Sequence, residues 1–257
     1  MINGDCAVVL ADFKDQVDLI VTSPPYGAVR EYAGYAEAFD FDAIADAIAA
    51  ALKPGGTVCW VVWDQVIDGF FSLESFRQAL GFDARGIKMH QPLIHEKDGV
   101  PRPGSSNRFH FTFEWVWVMS KGAPRTFNPI IDKRNRWAGR TWKHLHRNAD
   151  GSQSLDAQST TGNVSKRGSV WRYSQGYQND PNMFKRAREH PAIYPYKLAS
   201  DLIKAYSNEG DLVVDPMCGS GTTLQAAQFL KRRAVGIDVN PDYCELSRAR
   251  LAQEVLV

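Results

Sequence analysis

The chain has 257 residues, of which 44% are hydrophobic and 23% are charged, and its formal net charge is +1. That length can bury one large core, or a core with a smaller lobe, and the composition argues against a disordered chain. No apolar run approaches the ~20 residues of a membrane-spanning helix, and residues 1–5 lack the pattern of a secretory signal. A globular protein without a membrane segment is therefore predicted.

The cysteines and histidines do not indicate a metal site. The four cysteines, at positions 6, 59, 218 and 244, form no Cys-x-x-Cys pair, and the six histidines show no metal-ligand spacing. We therefore expect no metal, no zinc site and no disulfide framework, and a reducing cytoplasm is the simpler assumption.

The charge is unevenly distributed along the chain. The segment from Phe127 to His190 contains 12 Lys or Arg against 5 Asp or Glu, whereas the rest of the chain contains 18 against 24. One segment therefore carries the positive charge of the whole molecule. Such asymmetry favours a polyanionic partner.

Periodicity and breaker residues predict elements in chain order. Before the basic segment they are a short helix or loop at 7–13, strands at 17–23, 57–63, 84–94 and 109–119, and helices at 39–52 and 73–80 with Gly81 just past the end of the second. After it they are helices at 198–206, 222–230 and 241–253, with strands at 211–215 and 234–238. Between 127 and 178 the periodicity disappears, which is typical of a long functional loop. The alternation predicts an α/β fold, a mainly parallel sheet with helices on both faces.

The first motif is Ser23-Pro24-Pro25-Tyr26, directly after an apolar strand. The prolines fix a stiff turn, so a hydroxyl, a carbonyl and an aromatic ring are presented at the carboxyl end of a strand, where open α/β sheets bind ligands. Ser23 Oγ and the Pro24 carbonyl are acceptors suited to the hydrogens of an exocyclic amino group, and Tyr26 is suited to stacking on a base. Taken alone, the motif is equally compatible with a structural Pro-Pro turn.

The second motif is Asp215-Pro216-Met217-Cys218-Gly219-Ser220-Gly221-Thr222, a strand end, a glycine turn and a helix start. It lacks the Lys of a P-loop and the third glycine of a dinucleotide fingerprint. Its glycines allow the backbone to approach a ligand, and the alternative is a turn with a structural role only. Asp238 ends the next strand, where a carboxylate can accept hydrogen bonds from ribose hydroxyls; capping of the following helix is the alternative.

In this order the segments resemble the S-adenosylmethionine-dependent DNA amino-methyltransferases of the circularly permuted β class. In that family a Ser/Asp/Asn-Pro-Pro-Tyr motif comes first, a target-recognition region follows, and the cofactor loop comes late. The resemblance extends to three further segments: Asn3-Gly4-Asp5-Cys6, His190-Pro191 through Pro195, and Pro241-Asp242-Tyr243-Cys244. It covers nearly the whole chain outside 127–189. Met217 replaces the family's usual Phe, and Asp238 stands where many relatives have Glu.

The resemblance implies a Rossmann-like methyltransferase fold in three parts: a catalytic half at 1–126, a target-recognition insert at 127–189 and a cofactor-binding half at 190–257. It implies S-adenosylmethionine as cofactor. Asp5 would accept from the adenine amine, the glycine turn would approach the methionyl part, and Asp238 would hold the ribose. The implied cofactor-binding residues are Asp5, Cys6, Asp215, Met217, Cys218, Gly219, Ser220, Gly221, Thr222 and Asp238.

The implied reaction is methyl transfer to an exocyclic amine of a flipped-out DNA base, with Ser23, Pro24, Pro25 and Tyr26 as the catalytic motif. A serine before Pro-Pro-Tyr is commoner in the cytosine-N4 enzymes of the family, and this favours cytosine N4 with adenine N6 as the alternative. Methylation at cytosine C5 would need a nucleophilic cysteine, normally after a proline, and no cysteine here follows one.

The basic segment is expected to contact DNA through its arginines and interspersed tryptophans. A solvated basic loop whose tryptophans complete the core is the alternative for any single residue. The predicted DNA-binding residues are Arg134, Arg136, Arg140, Lys143, Arg147 and Arg172.

Two other functional classes stay open. One is an RNA amino-methyltransferase on the same fold, and the other is a DNA-binding protein without catalysis, against which the intact motifs argue. Double-stranded DNA is the expected partner, in the cytoplasm of a bacterium or an archaeon or as a phage-encoded enzyme. The resemblance leaves a homodimer and a cognate restriction endonuclease open.

Overall fold

The computed structural model describes residues 1–25, 39–98, 108–174 and 195–253. They divide into two compact units: the first comprises Met1–Asn128 and Ser169–Val257, and the second is Pro129–Gly168. Tyr26 and the predicted segment at His190 lie outside the described residues. None of the described helices combines the length and the apolar composition needed to cross a membrane.

Strands and helices alternate in the first unit, and short strands make up the second. The strands are β1 (Ile2–Asn3), β2 (Val17–Thr22), β3 (Leu52–Val62), β4 (Val66–Ile67), β5 (Phe70–Phe71), β6 (Ile87–Asp98), β7 (Phe113–Lys121), β8 (Ile131–Arg134), β9 (Thr141–Arg147), β10 (Gln153–Thr160), β11 (Val164–Lys166), β12 (Val170–Ser174), β13 (Leu212–Asp215) and β14 (Arg233–Asp238). The helices are α1 (Cys6–Val9), α2 (Phe41–Ala51), α3 (Glu74–Ala84), α4 (Tyr196–Tyr206), α5 (Thr222–Phe229) and α6 (Pro241–Gln253), with a 3-10 turn at Leu10–Phe13.

The first unit is built on an eight-stranded sheet with the order β1-β14-β13-β2-β3-β7-β6-β12. All neighbouring pairs are parallel except those of β7, which runs antiparallel to β3 and β6. Strand β14, which follows β13 in the chain, lies on one side of the β13–β2 pair, and β3, which follows β2, lies on the other side. Strand order therefore reverses between β13 and β2, and ligands of open α/β sheets bind beyond the carboxyl ends of strands at such a point.

Helix α2 shows how the sequence builds the core of this unit. The Asp40 carboxylate accepts a hydrogen bond from the Ala43 amide at 3.1 Å and so caps the helix. Its apolar positions recur at helical spacing and are buried against the sheet, together with Trp60 and Phe82, whose rings are 5.1 Å apart edge to face. The buried positions of α2 are Ile44, Ala45, Ile48 and Ala51.

The predicted end of helix α3 was wrong. The helix continues through Gly81 to Ala84, and Gly86, with φ +79°, follows it. Gly81 is needed inside the helix because a Cβ there would lie 2.5 Å from Cε1 of Phe41. A glycine that serves close packing between helices cannot be distinguished from a terminating glycine by local sequence alone.

Strand β3 begins at Leu52, earlier than the predicted start at 57, and so includes the helix-breaking sequence Lys53-Pro54-Gly55-Gly56. Pairing with β2 shifts between Val17↔Leu52 and Leu19↔Thr57, so the additional residues form an irregularity on the β3 side. Lys53 within it pairs with Asp18 of β2 at 2.7 Å. Helix α2 nevertheless ends at Ala51, as the breakers imply.

Candidate active site

The two sequence motifs meet at the carboxyl ends of neighbouring strands. β2 and β13 are paired in parallel through Ile20 and Val214, so Ser23-Pro24-Pro25 and the glycine turn leave the sheet side by side. The Thr22 hydroxyl donates to Oδ1 of Asp215 at 2.7 Å, and this hydrogen bond joins residues 193 positions apart in the sequence. The residue directly before the Ser-Pro-Pro turn is thereby fixed to the first residue of the cofactor motif.

Asp215 connects three parts of the site. Besides Thr22, its carboxylate accepts from the Thr223 hydroxyl at 2.6 Å and from the Met217 amide at 3.2 Å. The residue is 1% exposed. Burial raises its pKa to about 6, and the hydrogen bonds from Thr223 and Thr22 only partly oppose that rise. The carboxylate thus braces β2, the glycine turn and the start of α5.

The raised pKa of Asp215 makes stability depend on pH. Because the folded-state pKa lies about two units above the ordinary value of 3.8, the stabilisation is fully present below pH 4 and is lost as the pH rises through 6. The whole change amounts to about 3 kcal/mol. Asn at this position has no charge to desolvate, so the free energy of unfolding of D215N relative to the wild type should increase by that order between pH 4 and pH 8.

Urea unfolding of both proteins across this pH range measures the difference. The D12N variant, at an exposed position, controls for the loss of an aspartate from the surface. A D215N difference that stays constant from pH 4 to pH 8 would show that burial does not raise the pKa of Asp215.

The glycine turn has a backbone that only glycine adopts without strain. Gly219 and Gly221 have φ of +48° and +78°, and Gly221 immediately precedes helix α5. The turn is anchored by bonds from the Cys218 amide to the Ile237 carbonyl at 3.0 Å and from the Gly221 amide to the Cys218 carbonyl at 2.8 Å. The backbone can therefore lie close to a ligand beside the amino terminus of a helix.

Arg250, on helix α6, stabilises the same turn through hydrogen bonds. Its Nη1 donates to the Ser220 carbonyl at 3.1 Å and to the Thr222 hydroxyl at 3.2 Å. No local sequence signal identifies this arginine, since its partners lie about 30 positions earlier. Thr22 and Thr223, by contrast, adjoin the two motifs and could have been found there.

Asp238 ends β14, and its carboxylate accepts two backbone hydrogen bonds, one of them from the glycine turn. Oδ2 accepts from the Gly219 amide at 2.8 Å, and Oδ1 accepts from the Asn240 amide at 2.9 Å. Burial raises its pKa. Asn240, whose Oδ1 accepts from the Asp242 amide at 2.9 Å, occupies the capping position before α6. The alternative role of Asp238 as the cap of that helix is therefore wrong, and contact with a ribose stays a prediction.

The amino terminus reaches the same edge of the sheet. β1 pairs with β14 through Asn3↔Asp238, and the Gly4 amide donates to the Asp238 carbonyl at 3.0 Å. Asp5 then caps α1 by accepting from the Ala7 amide at 2.8 Å. Cys6 is buried, and desolvation, with the Asp5 charge as the next cause, raises the pKa of its thiol to about 12. Cys6 therefore stays protonated and contributes packing.

The structure thus gathers most of the predicted site residues. Asp5 and Cys6, Ser23 to Pro25, Asp215 to Thr222 and Asp238 all lie at the carboxyl edge of β1, β2, β13 and β14. Tyr26 lies outside the described residues. Within the described ranges, no group of three His, Cys, Asp or Glu side chains is placed to hold a metal ion.

The second unit corrects the prediction of a structureless basic loop. Strand β9 pairs with β10, and β8 pairs with β11, both antiparallel. The two ladders are linked by the bonds Asn135 N to Asn163 O at 3.0 Å and Gly139 N to Thr161 O at 2.8 Å. The unit is therefore a long two-stranded ribbon. Exposed Lys, Arg, Ser and Thr residues occur on both of its faces. The sequence therefore lacks the alternation of apolar and polar residues that marks a strand with one buried face.

Five of the six predicted DNA-binding residues belong to this ribbon: Arg134, Arg136, Arg140, Lys143 and Arg147. The sixth, Arg172, lies on β12 of the first unit, where its guanidinium bonds to Glu96 at 2.6 and 3.0 Å. The flanking Trp171 and Tyr173 are only 7% and 8% exposed. These two aromatic residues belong to the core of the first unit. For them the alternative to DNA contact, that aromatic residues of the basic segment complete the core, is correct.

A glycine turn after one central strand and a Ser-Pro-Pro turn after its neighbour, on a mainly parallel sheet, define a Rossmann-like methyltransferase. A family model described as DNA methylase, of the N6/N4 type, matches residues 17–249, and the chain belongs to this family. The predicted family and fold are confirmed. The protein is an S-adenosylmethionine-dependent DNA methyltransferase.

Two curated relatives cover nearly the whole chain. The orphan methyltransferase M.BamHII of Bacillus amyloliquefaciens is 38% identical over 99% of this chain and 92% of its own length. The DNA adenine methyltransferase YhdJ of Escherichia coli (strain K12) is 25% identical over 98% of this chain and 82% of its own.

Two solved structures show the same fold. TTHA0409 of Thermus thermophilus, complexed with S-adenosyl-L-methionine, superposes with a TM-score of 0.66 at 24% identity, covering 99% of this chain and 93% of that one. The cytosine-N4-specific PvuII DNA methyltransferase gives a TM-score of 0.70 at 21% identity, covering 96% and 84%.

Proposed function

We propose that this enzyme methylates N4 of cytosine in double-stranded DNA, at a base flipped out of the helix. The observation that carries the proposal is the Thr22–Asp215 hydrogen bond of 2.7 Å, which fixes the Ser-Pro-Pro turn beside the glycine turn. A methyl donor held at the glycine turn and an amine held at the Ser-Pro-Pro segment would then lie next to each other, because the two segments follow neighbouring strands. Such positioning is the main source of rate in a transfer between two bound groups.

The residues around the glycine turn fit S-adenosylmethionine. The positive-φ turn brings backbone close to the methionyl part, while the carboxylates of Asp5 and Asp238 provide acceptors for the adenine amine and the ribose hydroxyls. Bound there, the cofactor supplies a methyl group activated by a sulfonium. The chain's own contribution is to hold that methyl group and to exclude water from it.

Ser23 and Pro24 are proposed to act on the amine of the base. The lone pair of an exocyclic amine is delocalised into the ring, so the amine is a poor nucleophile. When Ser23 Oγ and the Pro24 carbonyl accept its hydrogens, the nitrogen becomes more pyramidal and its lone pair is freed. As the new bond between nitrogen and the methyl carbon forms, the bond from that carbon to the sulfonium sulfur would break, and the nitrogen would then release one proton to solvent. Pro25 keeps the turn stiff, and Tyr26 is proposed to stack on the base.

The choice of cytosine rests on Ser23. A neutral hydroxyl is a weaker acceptor than the carboxylate that many adenine-N6 enzymes of this family carry at the position. The likeness to the cytosine-N4-specific PvuII enzyme supports the same choice. Adenine N6 is the second candidate, and the relationship to an adenine methyltransferase at 25% identity favours it.

The ribbon of the second unit is proposed to hold the DNA. Arg134, Arg136, Arg140, Lys143 and Arg147 form no ion pair or side-chain hydrogen bond with other residues in the part of the chain that the structure describes. Cations without acidic partners are available for phosphates, and releasing counterions makes such binding strongly dependent on salt. The proposed setting is a bacterial, archaeal or phage-infected cytoplasm.

Mass spectrometry of nucleosides tests the function directly. The purified protein is incubated with S-adenosylmethionine and unmethylated duplex DNA, and the products are digested and quantified. N4-methylcytosine is the expected product. N6-methyladenine would overturn the choice of base while keeping the fold and the acceptor mechanism, and methylation of single-stranded RNA alone would overturn DNA as the substrate.

A further inference from the structure

Arg140 of the ribbon lies against two aromatic rings, whereas Arg136 lies against one, that of Trp137 at 5.2 Å. The guanidinium carbon of Arg140 lies 5.1 Å from the ring centroid of Trp137 and 5.0 Å from that of Trp142. Both contacts are within the range of cation–π attraction. The Trp142 ring is itself fixed, because its Nε1 donates to the Thr161 hydroxyl at 2.8 Å. Arg140 is thus ordered by two aromatic rings at an exposed position.

The backbone beneath Arg140 is fixed as well. Its amide donates to the Trp137 carbonyl at 3.1 Å, and its carbonyl accepts from the Thr161 amide at 2.9 Å. The adjacent Gly139 has φ +79° and closes the turn at 135–140. An arginine ordered in this way loses less conformational freedom on binding than an arginine on a mobile loop.

The hydrogen-bonding edge of Arg140 is not used within the described residues. By contrast, Arg167 on the same ribbon forms a bidentate ion pair with Asp132. A structural arginine would be expected to have such a carboxylate partner. Neither ring takes up a conventional hydrogen bond from the guanidinium, so its N–H groups remain for a planar acceptor, which matches the preference of this group for bidentate bonding.

We propose that Arg140 donates two hydrogen bonds to O6 and N7 of a guanine in the major groove, so that the recognition sequence contains a G·C pair at that position. A two-stranded ribbon fits the width of the major groove, and the Arg–guanine pair is the commonest specific contact there. This inference rests on the proposed function, because it requires that the ribbon binds the DNA that is methylated.

A phosphate contact is the competing assignment. A lysine satisfies a phosphate nearly as well as an arginine, whereas it cannot reproduce the two parallel bonds to guanine. R140K therefore separates the two roles while keeping the charge. R147K is the matched control, since Arg147, at the end of β9, is an exposed cation of the same ribbon without an aromatic contact in the described residues.

The experiment measures site preference over unmethylated genomic DNA. Wild type, R140K and R147K are each incubated with S-adenosylmethionine and the DNA, and methylated positions are mapped by sequencing. We expect R140K to lose about 5- to 150-fold of its preference for guanine at one position, and R147K to keep the wild-type preference. The salt dependence of DNA binding should be the same in all three.

Three results would overturn the inference. They are an unchanged preference in R140K, a uniform loss of affinity in R140K without a change in preference, and an equal change in R147K. Each of these leaves the proposed function standing, because the wild type still methylates DNA. Absence of DNA methylation by the wild type would instead overturn the proposed function itself.

Discussion

The S23A variant is expected to lose about 100- to 1,000-fold in kcat, because removing one preorganised hydrogen-bond partner of a reacting group typically costs that much. The Pro24 carbonyl would remain as the second acceptor, so residual activity is expected. Affinity for S-adenosylmethionine should not change, since Ser23 follows β2 whereas the glycine turn follows β13. Single-turnover methylation gives the rate, and calorimetry gives the cofactor affinity.

The neighbouring T22V variant is the matched control for S23A. Valine removes the 2.7 Å donor to Asp215 and leaves a buried carboxylate with one fewer partner, which costs about 1–3 kcal/mol. The effect of T22V should therefore fall on stability and on cofactor affinity rather than mainly on the rate of the bound complex. If S23A lowered cofactor affinity and left kcat intact, Ser23 would not be an acceptor for the amine.

Replacing Gly221 by alanine is expected to destabilise the protein by about 2–4 kcal/mol and to weaken cofactor binding at least about tenfold. Two effects combine at this position. Gly221 has φ +78°, which strains any residue with a Cβ, and that Cβ would lie 2.1 Å from Oγ of Ser247 on α6. Either the glycine turn or helix α6 must then move. Thermal unfolding and titration with S-adenosylmethionine measure the two losses.

The two contributions can be separated with variants that the chain itself provides. Gly210 has φ +83° and nothing within 4 Å of its Cβ position, so G210A measures backbone strain without a collision, at about 1 kcal/mol. Adding S247A to G221A removes the oxygen at 2.1 Å but leaves the Ser247 Cβ at 3.2 Å, so partial recovery is expected. Equal losses in G210A and G221A would show that contact with α6 does not matter.

The elements that sequence predicted well are those whose residues carry local signals. Helix α2 has both an apolar stripe and the Asp40 cap, and α6 begins at Pro241, as predicted. The predicted strand at 211–215 agrees within one residue with Leu212–Asp215, because a continuous apolar run indicates a buried parallel strand. The order of the motifs also identified the family correctly.

Other features were predicted wrongly from the local sequence, each for a physical reason. Gly81 packs against Phe41 inside a helix, and the glycines of 53–56 lie in a bulged strand. The ribbon at 131–166 is exposed throughout β8 and β9, so no buried face imposed an alternation on its sequence. The role of each of these glycines depends on a partner that is distant in the sequence, whereas the ribbon lacks the buried face that would mark its strands.

The Ser-Pro-Pro segment and the glycine turn could be predicted from the sequence alone, because each is a local backbone structure encoded by adjacent residues. How the two segments are joined could not be predicted in that way, because it depends on strand pairing. Parallel pairing of β2 with β13 brings Thr22 to Asp215, and pairing of β1 with β14 brings Asn3 beside Asp238. Such contacts depend on the closure of long chain segments around a shared core, which local sequence does not specify.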